Sequence, residues 1–121
     1  PVPFEKAFSD GCDRVVIVLT RELGYEKKSD AVLRLAARKY RKKYPAFSKA
    51  LENRAEVYNR EYREIARLGK EGKLFVIAPK NTLNWRRTEK SPEAIKKMYD
   101  EGYSAVKENK EALETYLNGN L

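Results

Sequence analysis

A chain of 121 residues, 41% hydrophobic and 36% charged, is long enough for one modest domain, and its apolar residues are grouped rather than scattered, which excludes a disordered tail. No histidine and a single cysteine, Cys12, exclude a Ser-His-Asp relay, histidine metal ligation and an internal disulfide. The net charge of +8 is concentrated: residues 27–43 hold eight basic residues and one acid, Asp30, a local +7, whereas the remainder holds 18 basic and 17 acidic residues.

Phe4 to Phe8 predicts one short helical turn, stopped by Asp10-Gly11. Arg14 to Thr20 reads as a buried strand, with Val15, Val16, Ile17, Val18 and Leu19 apolar in a row. Leu23-Gly24-Tyr25 is a turn in which Gly24 is free to take positive φ. A helix is predicted from about Asp30 to Lys43, capped by Ser29 or Asp30, with Val32, Leu33, Leu35, Ala36, Ala37, Tyr40 and Tyr44 at helical spacing. Tyr44-Pro45 interrupts it, because a residue before proline avoids the αR region. A longer helix follows from about Ala46 to Leu68, with an apolar stripe from Phe47 through Tyr58 and Tyr62 to Ala66 and with Gly69 as its terminating glycine. Glu71-Gly72 turns the chain into a second strand, Lys73 to Ala78.

Residues 79–90 read as irregular and carry Trp85 beside Arg86 and Arg87, where a stacked guanidinium or a loop anchor fits equally well. Ser91 as N-cap, Pro92 at the first helical position and Glu93 in the first turn mark a helix start. Ile95, Met98, Tyr99, Gly102, Tyr103, Val106, Leu113 and Leu117 continue it as one long C-terminal helix, ended by Asn118-Gly119. The fold class is therefore a mostly helical α/β fragment. Two short strands, expected to be parallel, are joined by a two-helix crossover. Two short strands do not make a stable sheet alone, so partner strands are expected from elsewhere. The first residue is Pro1 and the only methionine is Met98, so the expectation is a processed, excised or partial chain.

Chemistry-bearing patterns are few. Gly102-Tyr103-Ser104-Ala105-Val106 approaches a nucleophile elbow, but Val106 replaces the second glycine and Ser104 lies within a predicted helix. Asp10-Gly11 reads as a helix stop, and pairs such as Glu52 and Glu56 read as a solvated charged face. There is no glycine-rich phosphate loop, and no cofactor is expected. The strongest feature is "ARKYRKKYP", where Arg38, Lys39, Arg41, Lys42 and Lys43 interleave with two tyrosines. It reads first as a solvated helix face, then as a contact for an anionic membrane surface, and last as a nucleic-acid contact. The longest apolar run is five residues and no secretory signal is visible, which predicts a cytoplasmic protein, with peripheral membrane contact left open.

Three stretches in order, "PVPFEKAFSDGCDRVVIVLTRELGYEKK", "NRAEVYNREYREIARLGKEGKLFVIAPK" and "LNWRRTEKSPEAIKKMYDEGY", resemble the C-terminal part of bacterial patatin-like phospholipases. That resemblance implies an α/β acyl-ester hydrolase with a Ser–Asp dyad and no catalytic histidine. It places the G-x-S-x-G serine, the glycine-rich oxyanion loop and the D-G-G or D-G-A aspartate upstream of Pro1, so no catalytic residue is expected in this chain. By the same resemblance, residues 1–28 are the end of the catalytic sheet, and 29–121 are a helical cap with one strand near 73–78. The implied partners are the N-terminal catalytic portion of the same polypeptide and, through it, a lipid or ester substrate. The orphaned strand edges also make a homo-oligomer of the isolated chain an expectation.

Overall fold

A computed structural model describes residues 2–82, 85–86 and 88–119. Chain order is α1 (Phe4–Ser9), β1 (Val16–Val18), α2 (Ala31–Tyr40), α3 (Pro45–Lys70), β2 (Phe75–Ile77), α4 (Pro92–Glu108) and α5 (Lys110–Asn118). The two strands pair in parallel, with Val16 opposite Phe75, Ile17 opposite Val76 and Val18 opposite Ile77. The Phe75 N–H donates to the Val15 carbonyl at 2.9 Å, and the Leu19 N–H donates to the Ile77 carbonyl at 2.8 Å. The α2–α3 hairpin is the crossover that a parallel pair requires. Both strands are shorter than the expected 14–20 and 73–78, because each has a single partner and its ladder ends with the pairing.

One face of the sheet is covered throughout and the other only in part. Val15, Ile17 and Leu19 point into a core with Phe4, Tyr62, Ile65 and Leu74. The alternate positions point the other way, where Val18 is 68% exposed but its partner Ile77 is buried and Phe75 packs against Tyr116 of α5. Ile65 is fully buried where α3 crosses the strands, which contributes about 1.5–3 kcal/mol from one side chain.

Local signals set most helix ends. The Asp30 carboxylate caps α2 through the Val32 N–H at 2.8 Å, and the Ser91 hydroxyl caps α4 through the Ala94 N–H at 3.3 Å. Tyr44 stays out of the helical region at φ −136°, ψ 71°, and Pro45 opens α3. The end of α3 differs from expectation. Gly69 lies inside the helix, and Gly72 takes the left-handed conformation at φ +69°. The Gly72 N–H bonds to Gly69 O and the Lys73 N–H to Leu68 O, the paired bonds of a Schellman motif. Gly69 serves packing instead, since a Cβ there would lie 3.1 Å from Val76 Cγ2.

The long C-terminal helical run is present with one break. The Asn109 side chain donates back to Ala105 O at 2.8 Å, and its own N–H tightens onto Val106 O at 3.1 Å. An asparagine bonding to the backbone in this way competes with helix propagation. The chain restarts as α5, which returns to the strands: the Tyr116 hydroxyl accepts from the Val15 N–H at 3.1 Å.

Candidate functional site

In a parallel pair both strands end on the same side, and that side is where open α/β sheets bind ligands. Here Leu19 and Thr20 follow β1, and Pro79 follows β2. With Trp85, Ile95, Met98 and Tyr99 they line a groove of about 580 Å³ between the strand ends and α4. A larger groove of about 770 Å³ lies at the opposite strand ends, between Phe4, Phe8, Leu68 and Tyr116.

The wall of the strand-end groove is fixed by a polar clasp. Arg21 reaches the loop after β2, donating from Nη1 to Thr82 O at 2.8 Å and from Nη2 to Trp85 O at 3.0 Å. Its guanidinium also lies 5.2 Å from the centroid of the Tyr25 ring. The buried Thr82 hydroxyl donates to the neighbouring Glu22 carboxylate, and this bond holds that carboxyl below its ordinary pKa of 4.5. Lys80 ties α4 to the same loop. Its N–H donates to Glu101 Oε1 at 2.6 Å, and its ammonium pairs with Glu108 at 2.6 Å, which raises its pKa.

The lining is mainly apolar, with Thr20, Arg86 and Glu89 as its polar members. Such a groove can hold an acyl chain or an apolar segment, but among the described residues it pairs no nucleophile with a base. Ser104 sits exposed in the middle of α4. Asp10 caps α1 and pairs with Lys6, and Gly11 turns at φ +91°, the helix stop expected from sequence. Among the described residues no group of three or more His, Cys, Asp or Glu could hold a metal ion. Trp85 lines the groove, and among the described residues no Arg or Lys lies over its indole. Arg87 lies outside the described residues.

The basic cluster is far from this groove in sequence and sits at the turn of the α2–α3 hairpin. Arg38 and Lys39 occupy the last turn of α2, and Arg41, Lys42 and Lys43 form the connection; all five are exposed. The apolar stripe expected for this helix is only partly inward. Ala37 is fully buried against Ser48, whose hydroxyl donates to Ala37 O at 2.8 Å. Val32 is 71% exposed and Leu35 65%, because α3 covers a single face of α2.

Several positioning residues carry no recognisable signal in the sequence. Asn59 accepts from the Lys27 N–H at 2.7 Å and donates to Lys27 O at 3.0 Å, stitching the loop after β1 to α3. Arg21 and Thr82 likewise act across a span of 61 residues. An asparagine on an otherwise apolar helix face is the one hint available, since a buried amide requires partners.

The fold is thus a helical α/β unit with a two-stranded parallel sheet and an apolar groove at the strand ends. The chain belongs to the family described as a domain of unknown function, DUF6363, whose profile matches residues 44–118. The matched span runs from the hairpin turn through α3, β2, α4 and α5, and leaves β1 outside. No curated protein and no solved structure matches the chain. No helix among the described residues is long and apolar enough to cross a membrane.

Proposed function

We propose that this chain is the non-catalytic C-terminal part of a patatin-like acyl-ester hydrolase. In that protein it extends the catalytic sheet and walls the acyl pocket. The observation that carries the reading is the half-covered sheet. Among the described residues the two paired strands offer a free edge on each side, and the face carrying Ile77 is covered only in part, leaving Val16 and Val18 exposed where a larger sheet with its own covering layer would bury them. The groove at the strand ends supports it, because that is where an acyl chain would lie in an open parallel sheet.

The serine and aspartate of the dyad then belong upstream, and residues 1–121 alone should not hydrolyse a p-nitrophenyl ester. The decisive experiment is the intact mass of the natural protein carrying this segment, with peptide sequencing upstream of Pro1. A mass well above 14.1 kDa, with G-x-S-x-G and D-G-G ahead of Pro1, is the expected result. A natural protein that begins at or next to Pro1, or ester turnover by the pure chain at a mapped nucleophile, overturns the reading.

A further inference from the structure

The α2–α3 hairpin presents a surface that its own fold leaves unused. Leu35 and Lys39 are one helical turn apart, and Val32 precedes them on the same side, facing away from the buried Ala37. At the turn, Tyr40 packs against Tyr44 and Phe47, with ring centroids 6.2 and 5.4 Å apart. Tyr44 and Phe47 are each about half exposed, and the Lys43 ammonium lies 5.4 Å from the centroid of the Tyr44 ring.

The charges here are unbalanced. Further along α3, Glu56 pairs with Arg63 and Glu64 with Arg67. None of Arg38, Lys39, Arg41, Lys42 and Lys43 forms an ion pair among the described residues. Like charges at this spacing repel, so the fold tolerates a cluster that an external anionic partner would neutralise.

We propose that the exposed face of α2, together with the hairpin turn, docks peripherally on an anionic lipid bilayer. The lysines and arginines meet headgroups, while Leu35, Val32 and Phe47 enter the boundary between headgroups and acyl chains. Basic residues mixed with exposed aliphatic and aromatic side chains are the signature of an interfacial surface. The aliphatic pair decides between anionic partners: Val32 and Leu35 gain nothing on a phosphodiester backbone but lose water against acyl chains. Tyrosine at the edge of the patch suits the headgroup level. The inference stands apart from the hydrolase reading, and failure of either leaves the other in place.

The test is co-sedimentation of the full chain with phosphatidylcholine vesicles, with and without phosphatidylserine. Strong binding is expected only with phosphatidylserine, and it should fall as salt rises. Each basic side chain near such a surface strengthens binding about fivefold, so Lys39→Gln, Lys42→Gln and Lys43→Gln together should weaken it on the order of a hundredfold. Leu35→Asn should weaken binding about tenfold without altering its salt dependence. All four positions are exposed, so circular dichroism should show the fold retained. Equal binding to both vesicle types, unchanged binding by the triple variant, or retention of an oligonucleotide with no retention on phosphatidylserine overturns the proposal.

Discussion

Tyr116→Phe tests how the last helix is held to the sheet. Its hydroxyl accepts from the Val15 N–H at 3.1 Å and can donate to Val15 O or Lys73 O, each at 3.3 Å. One proton serves those two carbonyls, so the substitution removes one accepted and one shared donated bond. The donated bond contributes about 1 kcal/mol, and leaving the buried Val15 N–H without an acceptor costs about 1–3 kcal/mol. The ring remains, still packed against Phe75 at 5.6 Å between centroids, so no cavity opens. The expected loss is about 2–4 kcal/mol, or about 8–16 °C in Tm for a domain of this size. Urea unfolding followed by far-UV circular dichroism should show a lower midpoint at unchanged slope. A loss below about 0.5 kcal/mol, the range of ordinary surface substitutions, would refute the assignment of the hydroxyl as the tie between α5 and β1.

Two further outcomes follow from local geometry. Glu22 has its carboxyl pKa lowered by the Thr82 hydroxyl, so its contribution is complete above the ordinary value of 4.5 and is lost as pH falls through the lower folded value. Melts taken from pH 7 downward should show the wild type losing stability below about pH 5 more steeply than Glu22→Gln, and parallel curves would contradict this. Gly119 caps α5 at φ +77°, and a Cβ there would lie 2.5 Å from Arg14 Nη2. Gly119→Ala should cost about 1 kcal/mol or more by thermal melt, and a neutral result would mean that the cap is not formed in solution.

What could be read from the sequence was local. Asp30, the Tyr44-Pro45 break and Ser91-Pro92 each act within a few residues, and the structure has them where the pattern puts them. The parallel pairing was also legible, since two apolar runs joined by a helical crossover leave little alternative. Which apolar positions are buried was not. Periodicity gives the direction of a stripe but not whether anything covers it, so Leu35 and Tyr99 read as core and stand exposed. Leu113 continues the stripe partly buried, but after the break at Asn109 Tyr116 turns inward where Leu117 was expected. From the sequence Gly69 reads as the terminator and Gly72 as part of the turn into β2. The close approach of Val76 settles the role of the first, and the paired backbone bonds settle that of the second. The strand-end groove was invisible because its clasp joins Arg21 to Thr82 and Trp85, contacts that only the folded chain creates.

Helix α3 also acts as a spacer of set length. It runs unbroken from Pro45 at the hairpin turn, and its contact with the strands centres on Tyr62 and Ile65. The 17 residue steps from Pro45 to Tyr62 give a rod of about 25 Å. Asn59 fastens the loop after β1 along its flank, so the rod carries no hinge between its two ends. Whatever the hairpin turn rests on, the strands are held at that stand-off, and a load applied at the basic end is transmitted to β1 as a rigid lever would transmit it.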